Sequence, residues 1–347
     1  MRCKILVYFA GLIVCASALA QTNYRVRLLG GREPLGTWGY AIDGNQAGGF
    51  TTLASARLWN IQTGKFLDLN PPGYEGAGIR AIGDGMQLGW RSIARNFSNH
   101  LACFWRGTPE SCVDLHPQGF TYSEALGGDS NLQVGWGERS DGSYVGLAWR
   151  GTRESAVTMV PTGYASSTCY ATENGKIVGN AFSYSAPSGA ALWSSTDPDD
   201  FVILPTVGAI PYSSDVAADD ILGDTIVGYA YIAAYPNFPH AVAWIGSSHR
   251  FYDLHPPSWE YSGISATNGV QHVGTGTPDR NSSATHALVW TGTSRQAVDL
   301  HEFLPPGLFW GSEAWGINKD GVIVGEAYGQ SGDYSVTAVI WIPEKQK

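Results

Sequence analysis

Two stretches of the chain contain the residue types that hold metal ions and transfer protons. Residues 240–257 (HAVAWIGSSHRFYDLHPP) and 286–303 (HALVWTGTSRQAVDLHEF) each give a histidine, an apolar run ending in tryptophan, and an aspartate-leucine-histidine. Histidine and carboxylate side chains that converged on one point could form a metal site or an acid–base pair. Because the same order is written twice, the alternative is a structural element that the chain repeats.

The tryptophan of this phrase recurs through the whole chain. It stands at spacings of 44 to 51 residues, as Trp59, Trp105, Trp149, Trp193, Trp244, Trp290 and Trp341. A glycine that usually follows valine precedes each one, at Gly48, Gly89, Gly135, Gly179, Gly228, Gly274 and Gly325. A strand ending in Asp-Leu follows at Asp68, Asp114, Asp253 and Asp299. Each unit therefore offers four short strands.

Four strands in a unit of about 45 residues are typical of a β-propeller blade. The sequence predicts an all-β, seven-bladed propeller that forms a single domain over residues 21–347. The segment NYRVRLLG (residues 23–30) resembles an Asp-Leu strand without its unit, and the last unit lacks that strand. We expect the N-terminal strand to complete the last blade and cover its open edge.

The order of these elements also resembles a known family. Histidine-alanine before the apolar run, seen at His240-Ala241, at His286-Ala287 and more loosely at His100, is similar to the HAF family of extracellular repeats. The resemblance covers nearly all of the chain after residue 20 and implies a secreted repeat protein of propeller type. It brings no established catalytic residues with it.

Residues at one repeated slot lie a full blade apart, so they cannot meet at one substrate or metal. We therefore predict structural roles for the repeated aspartates and for six histidines: His100, His116, His240, His255, His286 and His301. The nucleophile elbow, the His-Glu-x-x-His motif, the phosphate-binding loop and Cys-x-x-Cys are all absent from the sequence. We expect neither a metal nor a cofactor.

The ends and the charge of the chain predict export. Arg2 and Lys4, an apolar run over residues 5–17 and the small residues 18–20 form a signal peptide over residues 1–20, and a lipid anchor at Cys15 is the alternative. Beyond residue 20, 19 basic residues stand against 30 acidic ones, a net charge of −11, which argues against nucleic acid as a partner. No segment reaches the ~20 apolar residues of a membrane span. We expect a secreted or periplasmic monomer.

Candidate ligand-binding residues lie where the units differ. The small-residue strand before each Val-Gly strand is expected to be innermost; in the fifth unit we align it as SSDVAAD from Ser213. Its second and fourth positions vary and should face a central channel: Trp38, Tyr40, Arg80, Glu124, Tyr170, Glu313 and Trp315. A second aromatic set in the preceding loops, available for stacking on sugar rings, includes Tyr74, Phe120 and Trp259.

Two functions follow from these residues. The first is a binding protein that recognises a glycan or another protein at one face and the channel. The second is a polysaccharide-active enzyme, most plausibly a uronate lyase: Arg80 would neutralise the uronate carboxylate, Tyr40 or Tyr170 would exchange the proton, and Glu124 or Glu313 would orient the sugar. We prefer binding, because no paired signature fixes a reaction.

The cysteines give one covalent prediction. Cys103 and Cys112 flank a short turn in one unit, and in an exported protein we expect them to form a disulfide. Cys169 falls in a slot that other units fill with small or aliphatic residues, so we expect a buried, inert thiol.

Overall fold

The computed structural model describes residues 23–29, 36–94, 97, 99–206, 216–232, 238–278, 284–329 and 336–344. The strands of this part of the chain form seven four-stranded antiparallel sheets, which are the blades of a propeller. Three short 3-10 helices, Pro109–Ser111, Arg153–Ser155 and His301–Phe303, lie beside or after the outermost strands. The predicted fold class is confirmed.

The strands follow one another in blade order after the N-terminal strand β1 (Tyr24–Leu28). Blade 1 consists of β2 (Thr37–Asp43), β3 (Gln46–Thr51), β4 (Ala56–Asn60) and β5 (Phe66–Asp68). Blade 2 consists of β6 (Gly76–Gly83), β7 (Met86–Ser92), β8 (Leu101–Trp105) and β9 (Val113–Asp114). Blade 3 consists of β10 (Phe120–Gly128), β11 (Gln133–Arg139), β12 (Tyr144–Trp149) and β13 (Val157–Thr158). Blade 4 consists of β14 (Ser166–Glu173), β15 (Lys176–Phe182), β16 (Gly189–Trp193) and β17 (Phe201–Ile203).

The remaining strands complete the ring. Blade 5 consists of β18 (Val216–Leu222), β19 (Thr225–Tyr231), β20 (Pro239–Ile245) and β21 (Arg250–Asp253). Blade 6 consists of β22 (Tyr261–Thr267), β23 (Gln271–Thr277), β24 (His286–Thr291) and β25 (Ala297–Asp299). Blade 7 consists of β26 (Phe309–Ile317), β27 (Ile323–Gly329), β28 (Val336–Pro343) and β1. The first strand in chain order of each blade, β2, β6, β10, β14, β18, β22 and β26, is called the inner strand below.

The ring closes on itself. Each inner strand contacts the inner strands of the blades on either side, and β26 contacts β2. Strand β1 supplies the outermost strand of blade 7, pairing with β28 from Tyr24 opposite Pro343 to Leu28 opposite Val339. Closure by the N-terminal strand, as the sequence predicts, is confirmed.

The repeated tryptophans form the packing between blades. All seven are buried, as expected for large apolar side chains at a sheet-to-sheet interface. In Trp244, Trp290 and Trp341 the indole Nε1 donates to a carbonyl oxygen in the segment that ends the preceding blade, at 2.8, 3.0 and 2.9 Å respectively. These tryptophans therefore fix one blade against the next as well as filling the core.

The repeated glycine is explained by a bulge that every blade contains. The pairing of inner and second strands shifts by one residue around the fourth residue of the inner strand, counted from Thr37 in blade 1. Such a bulge brings the backbones close together. A Cβ added at Gly89 would lie 2.0 Å from the Gly78 carbonyl oxygen, and one at Gly135 would lie 1.9 Å from that of Glu124. In blade 1 this glycine is Gly49 and not Gly48, which corrects the sequence alignment.

The alignment of the fifth unit was also wrong. Ala218 pairs with Gly228, so the inner strand begins its repeat at Val216 and reads VAADDIL, three residues later than the SSDVAAD alignment. The bulged fourth position is Asp219. The first three residues of the SSDVAAD alignment, residues 213–215, lie outside the described residues.

The predicted disulfide is not present in the structure, where Cys103 and Cys112 are both free thiols that contact each other through a hydrogen bond. The strand register gives the reason: β8 and β9 place Cys103 opposite Asp114, so the two cysteines are not directly paired. Cys169 is buried as expected, and burial raises the pKa of its thiol.

Candidate functional site

A ring of seven side chains narrows the central channel. They are the bulged fourth residues of the inner strands, and we call them the waist ring: Tyr40, Arg80, Leu126, Tyr170, Asp219, Ser265 and Trp315. A bulge re-aims the side chain that it carries, here towards the propeller axis. All seven line two cavities, of about 490 and 270 Å³.

The larger cavity, called the mouth cavity, lies on the side where the inner strands begin. Besides the waist ring it is lined by Glu124, Tyr229, Tyr261, Gly263, Ile264 and Thr275. The smaller cavity is lined instead by the fifth and sixth residues of the inner strands, such as Ala81 and Ile82. The mouth cavity is the candidate site because it combines aromatic, charged and hydroxyl side chains.

The structure brings together five of the seven residues predicted from the variable slots. Tyr40, Arg80, Glu124, Tyr170 and Trp315 line the mouth cavity. Trp38 and Glu313 have other surroundings. The ring of Trp38 stacks on Phe50 with centroids 5.3 Å apart. Glu313 accepts a hydrogen bond from the hydroxyl of Thr285 at 3.1 Å.

Arg80 is held by two neighbours in the wall of the mouth cavity. Its Nε lies 3.5 Å from the Glu124 Oε2, and its guanidinium carbon lies 4.7 Å from the centroid of the Tyr40 ring. An ion pair in a partly enclosed cavity is screened less than one at the surface. The guanidinium is therefore positioned and its charge is largely offset within the protein.

Glu124 is the most connected side chain of the site. It is buried, accepts a hydrogen bond from the Tyr122 hydroxyl at 2.8 Å, and contacts Nδ1 of His100. Burial alone would raise the pKa of Glu124, but the charge of Arg80 and the hydrogen bonds from His100 and Tyr122 outweigh it and lower that pKa. Glu124 therefore stays ionised at neutral pH.

His100 departs from the role predicted for its slot. Its ring stacks on Trp90 with centroids 3.7 Å apart, and its Nδ1 faces Glu124 of the next blade. In blades 5 and 6 the matching histidines contact an aspartate instead, but in blade 2 that residue, Asp114, pairs with Arg91 at 2.8 Å. His100 thus positions a residue of the mouth cavity.

Blade 7 contains a pair of carboxylates close to the channel. Glu313 and Glu326 are direct cross-strand partners in blade 7, and Tyr328 donates to the Glu326 Oε1 at 2.8 Å. Burial, together with the charge of Glu313, raises the pKa of Glu326 to about 7. Glu326 could not be predicted from the sequence, because cross-strand pairing depends on the strand register.

Burial also controls the tyrosines of the site. It raises the pKa of Tyr40 to about 12, with a contribution from the charge of Glu326, and raises the pKa of Tyr170 and of Tyr261 to about 12 as well. All three hydroxyls therefore remain protonated at neutral pH.

Asp219 is the main site residue that sequence reasoning missed. It belongs to the waist ring, and burial, with the charge of Asp220, raises its pKa to about 8. A spacing rule could have found it, since the third inner-strand residue precedes the close-approach glycine by ten residues in blades 1 to 6 and by eleven in blade 7. Sequence reasoning also missed Tyr229 on β19 and Tyr261 on β22, which line the same cavity.

The second aromatic set lies away from the mouth cavity. Tyr74 lines a separate groove beside blade 1 and stacks under Arg91, whose guanidinium carbon is 4.3 Å from its ring centroid. Phe120 packs against the core between blades 2 and 3. Trp259 meets His286 edge-on at 5.9 Å. These rings pack on blade edges and line neither channel cavity.

The repeated histidines and aspartates of blades 5 and 6 bond to one another and to the backbone. Asp299 faces Nδ1 of His286 at 2.7 Å and accepts from the backbone N–H of His301 at 2.9 Å. Asp253 makes the same two contacts in blade 5, with His240 at 3.2 Å and the His255 backbone at 3.0 Å.

A serine completes each of these networks across blades. Ser312, on the next inner strand, contacts Nδ1 of His301 at 3.0 Å and accepts from the backbone N–H of Ala287 at 3.0 Å. The polar groups of this repeated phrase therefore have partners inside the framework.

No group of three histidine, cysteine, aspartate or glutamate side chains is close enough to hold a metal ion in the described part of the chain. No helix within the same residues is long and apolar enough to cross a membrane.

Comparisons with known proteins place the fold and no more. No family model matches the sequence, and no curated protein matches it. Among solved structures, an oligogalacturonate lyase in complex with manganese superposes with a TM-score of 0.60 at 9% identity, over 94% of this chain and 95% of that one. The propeller domain of the Trilobed protease from Pyrococcus furiosus gives 0.51 at 12% identity, over 90% and 95%.

A larger enzyme also contains a similar propeller. A puromycin hydrolase matches with a TM-score of 0.57 at 11% identity, covering 89% of this chain. This chain spans about half of that protein, 52% of its length. At such identities the likeness extends to the seven-bladed architecture, and the activity must be argued from the residues of this site.

Proposed function

We propose that this protein is a binding propeller that takes a saccharide into the mouth cavity. One observation carries the proposal: five aromatic side chains, Tyr40, Tyr170, Tyr229, Tyr261 and Trp315, line a single cavity of about 490 Å³ together with charged and hydroxyl groups. This volume falls in the range of roughly 300–1,000 Å³ that is usual for small-ligand sites.

The chemistry of a sugar ring fits such a lining. Its C–H faces pack on aromatic rings, and its hydroxyl groups require donors and acceptors at fixed places around the edge. Ser265 and Thr275 supply hydroxyl groups, while Glu124 supplies a carboxylate that is already held in place. A folded protein surface cannot enter a channel of this size, which favours a glycan over a protein as the ligand.

The uronate lyase remains the second candidate, because one contact favours it. Arg80 and Tyr40 lie against each other in the cavity, as the cation and the proton-transfer group of such an enzyme would have to. Two features oppose it. The charge of Arg80 is offset by Glu124, and the pKa of Tyr40 at about 12 makes its phenol a poor base at neutral pH.

A glycan array followed by titration calorimetry tests the binding proposal. Tyr170→Ala should weaken the best ligand about tenfold or more, because it removes one aromatic wall of the cavity. Tyr184→Ala is the matched control, since Tyr184 is 86% exposed and lies outside the channel. Equal affinity of both variants and the parent protein, or no glycan binding at all, would contradict the proposal. Formation of unsaturated products from oligogalacturonate would establish the lyase instead.

Export and the HAF resemblance belong to the same proposal. Residues 1–22, which include the predicted signal peptide, lie outside the described residues. A secreted saccharide-binding protein would be cleaved before Gln21. Mass spectrometry of protein recovered from the medium or the periplasm should give a chain that begins at Gln21, and an intact N-terminus would contradict export.

A further inference from the structure

One ionisable side chain in the lining of the mouth cavity has no partner among the described residues. Three charged side chains line it: Arg80, Glu124 and Asp219. Arg80 and Glu124 form an ion pair at 3.5 Å, so each offsets the other. The remaining ionisable side chain is Asp219, three blades away from Arg80 around the ring, and an ammonium group that arrives with a ligand would favour its ionised form.

Asp219 is partly buried, and its carboxyl group has no hydrogen-bond donor among the described residues. The adjacent Asp220 shows the contrast, because it accepts from the backbone N–H of Thr267 at 2.8 Å and from that of Ile221 at 2.9 Å. A carboxylate that faces a cavity without a donor is arranged for a donor that arrives with a ligand.

The groups around Asp219 are aromatic. Tyr170 comes from the inner strand of blade 4, Tyr229 from the second strand of blade 5, and Tyr261 from the inner strand of blade 6. Asp219 lines the same cavity from the inner strand of blade 5, between those of Tyr170 and Tyr261, which places its carboxyl group beside both rings. Glu313 adds negative charge near Tyr261 from blade 7.

A carboxylate among aromatic rings is the combination that recognises an organic ammonium group. The rings attract the cation through their quadrupoles, and the carboxylate supplies the counter-charge and a hydrogen-bond acceptor. We propose that the ligand of the mouth cavity is an amino sugar with a free amine, whose ammonium group pairs with Asp219 between Tyr170 and Tyr261. This inference rests on the proposed saccharide-binding function and specifies its ligand class.

The same arrangement argues against an acidic sugar. A uronate carboxylate would keep Asp219 from ionising and would find no free cation, because the one cation in the lining is already paired. Like charges within one cavity repel most strongly where water is partly excluded. A lysine side chain offers the same ammonium group, but it would leave the hydroxyl groups of Ser265 and Thr275 unused.

Titration calorimetry at pH 7 with four probes tests the inference: a glucosamine tetramer, its fully N-acetylated counterpart, an oligogalacturonate tetramer and a lysine-rich peptide. The glucosamine tetramer should bind about tenfold more tightly than the N-acetylated one, because acetylation removes the charge. Asp219→Asn, which keeps the shape of the side chain, should abolish this preference by weakening the binding of the glucosamine tetramer about tenfold. The control Asp141→Asn, at an exposed turn, should keep the preference.

The outcomes separate the ligand class from the function. Equal or tighter binding of the N-acetylated or the oligogalacturonate tetramer would overturn the amino-sugar assignment and leave saccharide binding in place. A preference for glucosamine that survives Asp219→Asn would overturn the role of Asp219. Binding of the peptide alone would show a protein ligand, and binding of no saccharide would remove the proposed function as well. A thermal melt of each variant confirms that it is folded.

Discussion

The polar network of blade 6 and the waist ring both contain an aspartate and a serine, and they differ in whether the aspartate has a hydrogen-bond partner. In blade 6, His286, Asp299, His301 and Ser312 contact one another or the backbone, and the same pattern recurs in blade 5. In the waist ring, Asp219 faces the channel, and none of the described residues donates a hydrogen bond to it. The side chains of this ring vary from blade to blade between aromatic, aliphatic, hydroxyl and charged types. Satisfied polar groups mark framework, whereas an unsatisfied one in a cavity marks the place for a ligand.

Chain closure offers the largest test of the framework side of this comparison. A chain that starts at residue 31 lacks β1, which exposes the edge of β28 and removes Tyr24 and Leu29 from the core. We expect a loss of roughly 5 kcal/mol or more, since each large buried apolar side chain contributes about 1.5–3 kcal/mol. A thermal melt against a chain that starts at Gln21 measures it. Coincident melting curves would show that β1 is dispensable for closure.

Gly274 and Gly263 lie on paired strands of blade 6 and test the two kinds of position. Gly274 is the repeated glycine, and Gly263 is at a variable position of the inner strand. Gly274→Ala places a Cβ 2.0 Å from the Gly263 carbonyl oxygen, so the strands must move apart, at a cost of about 3 kcal/mol or more. Gly263→Ala meets nothing closer than the Tyr261 hydroxyl at 3.5 Å, and we expect a change below about 1 kcal/mol. Urea unfolding of both variants measures the two changes in the free energy of unfolding. Equal destabilisation would mean that the close approach does not explain the repeated glycine.

The histidine–aspartate network should affect stability without affecting binding. Asp299→Ala leaves His286 and the His301 backbone without their acceptor, which costs about 1–3 kcal/mol. Saccharide affinity should stay unchanged. The exposed Glu302, close by in sequence, provides the control Glu302→Ala, which should alter neither property. If Asp299→Ala melts normally yet abolishes binding, the repeated phrase is functional and the comparison fails.

The smallest effect concerns pH. The pKa of Asp219 is about 8 in the folded protein against an ordinary value of 3.8, so the folded state keeps a proton that the unfolded state has lost. Stability contributed by this group is present below about pH 4 and is lost as the pH rises towards 8. The channel gives water some access, so Asp219→Asn should be the more stable protein at pH 9 by only about 1–2 kcal/mol. The two proteins should be equal at pH 3.

Denaturant melts between pH 3 and pH 9 check this linkage. Asp220, whose pKa burial raises to about 7, gives a slope of the same sign and remains in the variant. The control Asp141→Asn should leave the profile above about pH 6 unchanged, because hydrogen bonds from Ser143 lower the pKa of Asp141 and confine its contribution to acid pH. A variant Asp219→Asn whose profile coincides with the parent's would show that this carboxylate is hydrated like a surface group.

The success and the failure of sequence reasoning can be traced to particular residues. Tyr40, Arg80, Tyr170 and Trp315 were found because their units align on small residues at fixed intervals. Asp219 was missed because the fifth unit has a run of small residues, Ser213 to Ala218, on which two alignments fit. The mistaken disulfide has the same origin, since one strand's offset relative to the next decided whether Cys103 faced Cys112.

The sequence by itself determined the architecture of this protein. Each unit repeats its tryptophan, its glycine and its Asp-Leu strand because every blade must bury the same face and pass the same bulge, so the pattern is local and visible. The tertiary structure alone decided which side chains meet around the axis. That outcome depends on strand register and on the bulge in each blade, which bring Arg80 to Glu124 and leave Asp219 open among tyrosines from three blades. These contacts join residues from different units, and no spacing within one unit encodes them.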